Sequence, residues 1–175
     1  MSIFKRALSL DLQYTAAADQ RVLHACSRLA ADELGRDLHN SHRSIIGTLQ
    51  HMYDAEEFWS GRLYANALPP LDAFIGGGNV VASASPGQAL DALKQNWPPV
   101  WTGLRKWFDG MTEEDLAGEL SCRMPDGSDF HFTRWQILRH MVNHSTLHRG
   151  QITGMLRAIG TQPPNTDLMT YYLSS

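Results

Sequence analysis

Two histidines four residues apart, His144 and His148, carry the most distinctive chemistry in the sequence. They belong to a run, Ile137, Met141, His144, His148, Ile152, Met155 and Ile159, spaced by threes and fours as one face of a helix requires. The other members are Ile or Met, so the two imidazoles stand where a bundle helix turns toward its core. Side chains on adjacent turns of one face are within reach of a single metal ion. A neutral imidazole in apolar surroundings needs a partner for its lone pair, and a metal supplies one. The competing reading is two buried histidines hydrogen-bonded to polar neighbours, since two ligands do not make a site. Ser145 follows His144, where a zinc protease of the HExxH type would carry its glutamate base. That class is therefore disfavoured.

A third ligand must come from another element. The segment LQHMYDAEEFW sets His51 and Glu56 among apolar and aromatic residues. Taken at about 100° per residue, His51 falls at the edge of the stripe formed by Ile45, Leu49, Met52, Trp59 and Leu63. Glu56 falls near its centre. Periodicity alone nominates Glu56 as the inward polar group, either a ligand or the acceptor for a ligand's second ring N–H. Against that stands a simple pairing of Glu56 with Arg62 or another surface arginine. His140 precedes His144 by one turn and drifts to the flank of the seam, as a residue supporting a ligand or as a surface histidine. His24, His39, His42 and His131 match no spacing and read as ordinary surface residues.

These residues need elements to hold them. Residues 14–34 are rich in Ala, Leu and Arg and predict a first helix. Ser41 can cap a second over residues 43–65, which ends before Pro69-Pro70. The run Gly76-Gly77-Gly78 lacks the companions of a phosphate-binding loop and reads as a flexible connection. Ser85-Pro86 opens a third helix with the stripe Leu90, Leu93, Trp97, Trp101, Leu104 and Phe108. Pro98-Pro99 in its middle predicts a kink or a restart. From residue 120 to 132 the pattern alternates around Pro125-Asp126-Gly127-Ser128, which predicts a short β-hairpin. Thr133 can cap a fourth helix over residues 134–159, closed by Gly160. The expected fold is all-α, a four-helix bundle with a small β-hairpin before the last helix.

The chain has 175 residues, 43% hydrophobic and 19% charged, with eight histidines and a formal net charge of -3. This length suits one domain, residues 1–175, with a core that needs no staples. A mildly acidic balance argues against nucleic acid as a partner. Asp11, Gln13 and Asp19 interrupt any would-be signal core, and no long apolar run predicts a membrane span. Cys26 and Cys122 match no CxxC pattern and are expected as free buried thiols, which makes the cytoplasm the natural compartment.

The segment GTLQHMYDAEEFWSGRL resembles the second-helix signature of the DinB family, DinB/YfiT-like proteins regarded as metal-dependent enzymes. RHMVNHSTLHRGQI resembles that family's closing signature, in which spaced histidines lead into Arg-Gly-Gln. The resemblance covers essentially the whole chain. It implies a four-helix bundle with a divalent metal, zinc or nickel, held by His51, His144 and His148, and an open coordination position taken by water. It also implies thiol chemistry, since members of the wider superfamily are transferases and isomerases that use a low-molecular-weight thiol. The expected function is thus a metal-dependent enzyme, a thiol-dependent S-transferase or a hydrolase, acting on a small electrophile. The alternative is a non-catalytic, stress-responsive metal-binding or interaction bundle, and a metal-free bundle is a third reading. Arg149 and Gln151 belong to the signature without an assigned role; Arg149 pairs with a carboxylate or pins the helix. The surplus of Trp and Met in the second and third helices suggests a broad apolar surface, which either packs into the core or forms a homodimer face.

Overall fold

The structure, a computed structural model, describes residues 2–67, 85–123 and 126–174, apart from the side chain of Cys122. The Gly76–Gly78 run and the Cys122 thiol therefore lie outside the described residues. Helix α1 (Ile3–Cys26) is capped by Ser2, whose hydroxyl accepts from the Lys5 N–H at 3.2 Å. It begins well before residue 14. Its buried face mixes Leu8 and Leu12 with Ser9, Thr15 and Asp19, which breaks the apolar period that would have shown it. It also stops earlier than expected. Ser27 returns its hydroxyl to the Leu23 carbonyl, and the short α2 (Ala31–Gly35) follows as a separate turn that buries Leu34.

Helix α3 (Ile45–Ala65) is capped by Ser44 rather than Ser41, with the Ser44 hydroxyl accepting from the Gly47 N–H at 3.1 Å. Asn66, in the left-handed region at φ 54°, closes it. Helix α4 (Pro86–Asp109) starts at Ser85 with a reciprocal bond to Gln88. It passes through Pro98 and Pro99 without restarting. The prolines free the carbonyls of Lys94 and Gln95, and both residues lie on the exposed face, where water can take those carbonyls. A short α5 (Glu113–Ala117) leads into the hairpin β1 (Glu119–Arg123) and β2 (Asp129–Thr133). The strands are antiparallel, with Glu119 opposite Thr133 and Arg123 opposite Asp129. Helix α6 (Arg134–Ala158) begins where the Thr133 N–H meets the Gln136 side chain at 2.8 Å. Gly160, at φ 81°, ends that segment and α7 (Leu168–Ser174) follows.

The four long helices form a closed ring of neighbours, α1 and α3 each packing on both α4 and α6. This is the expected all-α four-helix bundle with its hairpin before the last long helix. Its core has two apolar halves. One gathers Val22, Cys26, Ile45, Leu49, Met52, Trp97 and Ile152; the other gathers Leu8, Leu12, Leu63, Leu104, Phe108 and Leu138. Leu116 of α5 and Leu120 of β1 belong to the second half, so the hairpin region covers that end. Between the halves every long helix carries polar or part-polar side chains: Asp19, Glu56, Trp101, Ser145, His148 and Arg149. That middle layer holds the site. Among the described residues, no helix is long and apolar enough to cross a membrane.

Candidate metal centre

Helix α6 lays His144 and His148 one turn apart on the face packed against α3, and α3 answers with His51. The His51 Nε2 lies 2.9 Å from the His144 Nε2, and the His148 Nε2 lies 3.2 Å from that same atom. The Nε2 atoms of His51 and His148 thus both meet that of His144. The rings are steeply inclined, at 53° between His51 and His144, 63° between His144 and His148, and 76° between His51 and His148. Ligand bonds of 2.0–2.1 Å to a tetrahedral ion set neighbouring nitrogens about 3.4 Å apart. The two observed separations come close to that spacing.

Charge and tautomer favour the same use. Burial, reinforced by the neighbouring His42 and His148, brings His51 down to about 4. Burial and the surrounding histidines, His148 foremost, bring His144 down to about 3. Both are therefore neutral at neutral pH, the form that ligates metal. The His148 Nδ1 faces the Gln151 Oε1 at 2.7 Å. An amide oxygen only accepts, so this Nδ1 carries a proton and donates it toward Gln151. Gln151 in turn takes a place against the Ser41 hydroxyl, at 3.2 Å from its Nε2. The role of Gln151, open in the sequence, is thus to orient a histidine and tie it to the loop before α3.

That loop supplies a residue the sequence had placed on the surface. His42 is half-buried and stacks on His51, with ring centroids 3.8 Å apart and planes at 17°. It also meets the His148 ring at 5.2 Å. Ligand atoms of His42, His51 and His148 all lie within 4.8 Å of one another, close enough for three histidines to hold a metal ion. Periodicity could not find His42, because it precedes the helix and obeys no helical spacing. His24, His39 and His131 are exposed, as expected.

The other nominated residues lie around this cluster. His140 is largely exposed and packs its ring between His144 (5.7 Å) and Trp59 (5.5 Å). Glu56 is inward, as its place in the stripe implied, and only 3% exposed. It meets no arginine at the surface. Its Oε2 accepts from the indoles of Trp97 (2.7 Å) and Trp101 (2.8 Å), and its Oε1 accepts from the Ser145 hydroxyl at 2.7 Å. Glu56 thus anchors α6 one residue from His144. Arg149 turns away from the histidines into α1, where its Nη1 donates to the Asp19 Oδ1 at 2.8 Å. Both partners are nearly inaccessible, at 2% and 0% of their side chains. Arg149 therefore pins the helix through a carboxylate, the structural role.

A four-helix bundle whose middle layer gathers neutral histidines on facing helices defines a class of protein able to hold a divalent cation. The comparison with known proteins narrows that class. The DinB family pattern matches residues 1–174, so the chain belongs to the DinB family. Protein DinB of Bacillus subtilis (strain 168) is 23% identical over 163 residues, covering 91% of this chain and 90% of that one.

Proposed function

We propose that the protein is a metal-dependent enzyme whose divalent ion, zinc or nickel, is held by His51, His144 and His148. The observation that carries this reading is the meeting of the His51 and His148 nitrogens at the Nε2 of His144 between α3 and α6, with the three rings mutually inclined. Ring geometry favours this set over the one that replaces His144 with His42. A ligand nitrogen directs its lone pair within its own ring plane. His42 and His51 are nearly parallel and 3.8 Å apart, so an ion shared between them would lie well out of at least one plane. The inclined rings of His51, His144 and His148 carry no such penalty.

A divalent ion bound there supplies Lewis acidity, which makes a thiol or a water nucleophilic at neutral pH. The chain's own residues prepare the place. Gln151 fixes the tautomer of His148, and Glu56 holds Ser145 and hence the backbone beside His144. Burial keeps His51 and His144 uncharged. Three protein ligands leave a position for an incoming group, as catalytic centres require. The substrates we infer are a low-molecular-weight thiol and a small electrophile, giving an S-transferase, with a hydrolase as the variant in which water replaces the thiol. The reading also places the chain in the cytoplasm as a homodimer, with Cys26 a buried free thiol pushed up to about 12 by desolvation.

The test is a panel of small thiols offered with a reactive electrophile to protein loaded with zinc or nickel. Turnover in the wild type that is lost in His148→Ala is the expected result. A His148→Ala variant with full metal content and full turnover would contradict it. A loaded wild type inert toward every pair would favour the binding-bundle alternative.

A further inference from the structure

His42 has no place in the three-ligand set, yet the chain goes to some length to hold it there. Residues 38–44 form a tight loop, closed by the Leu38 N–H to the Arg43 carbonyl at 2.7 Å and the Arg43 N–H to the Asn40 carbonyl at 2.8 Å. Asp37 clamps it from one side. Its Oδ1 accepts from the His39 N–H, and its Oδ2 accepts from the Arg43 Nε and Nη2 at 3.0 and 2.9 Å. Two residues flanking His42 in the loop, His39 and Arg43, are held at φ 55° and 66°. That conformation is costly for side chains of this size and persists only where the surroundings enforce it. Gly47 completes the fit, because a Cβ at that position would come within 2.3 Å of the His42 carbonyl oxygen.

The product of this loop is an imidazole lying over His51. Among the described residues, nothing hydrogen-bonds to either ring nitrogen of His42. Its ligand nitrogen nonetheless lies within 4.8 Å of those of His51 and His148. The parallel stack excludes ligation by His42 and His51 together as the rings now stand. A turn of the half-buried His42 ring out of that stack removes the obstacle. We propose that His42 is a displaceable fourth ligand, which leaves its stack on His51 to close the open position of the centre until an incoming thiol takes its place. This rests on the three-histidine reading above.

Cobalt(II) tests both, because its visible absorption reports coordination number and thiolate ligation. Wild type, His42→Ala, His42→Phe and His144→Ala are titrated with cobalt and then with 2-mercaptoethanol. The phenylalanine keeps a ring on His51 but offers no nitrogen, so it separates packing from ligation. Both His42 variants are expected to bind cobalt at least about tenfold more weakly, with altered ligand-field bands that added imidazole restores in His42→Ala. Both are expected to show the thiolate charge-transfer band at lower thiol concentrations than the wild type. Wild-type bands, affinity and thiol response in His42→Phe would overturn the proposal, whatever His42→Ala does. A wild type that takes up no cobalt, or a His144→Ala variant that binds it undiminished, would instead overturn the three-histidine reading, and this inference with it.

Discussion

Asp19 is wholly buried, with one cation, Arg149, and one other carboxylate, Glu56, beside it. Desolvation, and after it the charge of Glu56, hold the Asp19 carboxyl well above the usual carboxylate range against the pull of Arg149. Among the described residues, its Oδ2 finds no donor. A proton there turns that oxygen into a donor toward Glu56 and leaves one negative charge to balance Arg149. The sign follows from linkage. A carboxyl raised in the folded state contributes stability below its unfolded value, near 3.9, and loses that contribution as pH rises through the folded value. Asp19→Asn, which has no proton to lose, is therefore predicted to gain stability relative to the wild type as pH rises above about 4. Asp19→Ala instead leaves the buried Arg149 Nη1 without its acceptor and should cost about 1–3 kcal/mol. Urea unfolding of the three proteins from acid to neutral pH reads both effects. Parallel pH profiles for wild type and Asp19→Asn would show that Asp19 holds no such proton.

At the level of elements, the seams of α3, α4 and α6 were legible because each repeats at helical spacing. Ile137, Met141, Ile152 and Met155 are all buried, with His148 among them. The hairpin was legible from its change of period and its turn residues. What stayed hidden has physical causes. The start of α1 was masked because Ser9, Thr15 and Asp19 lie on its buried face, serving the polar layer rather than an apolar stripe. The prolines of α4 do not restart the helix, because their cost depends on whether the freed carbonyls face solvent, which sequence does not state. Glu56 was rightly read as inward, but its partners Trp97, Trp101 and Ser145 come from two other helices. His51 at the edge of its stripe was picked out by resemblance rather than by period, and His42 by neither. The loop that carries His42 depends on Gly47, so Gly47→Ala is predicted to displace it. The clash is with backbone and should cost about 1–3 kcal/mol. For a chain of this size that lowers the melting temperature by at least about 2 °C. An unchanged melting temperature would mean that the loop yields freely and is not a rigid holder of His42.

Over the whole molecule, two apolar halves hold a polar layer between them, and the layer has two faces. Toward α1 and α4 it is a structural network of Arg149, Asp19, Glu56 and the two indoles. Toward the loop before α3 it is a cluster of imidazoles with few partners of their own. A bundle of this size needs no metal to supply its core, and its histidines lie close enough together to hold one. The direct test is metal content, measured on protein purified without a histidine tag and without added metal, beside the His144→Ala/His148→Ala double variant. About one divalent ion per chain is expected in the wild type, the occupancy of a single three-ligand centre, and none in a double variant that remains folded. No bound metal in either protein, even after zinc or nickel is supplied, would contradict this and leave a bundle whose histidines serve only one another.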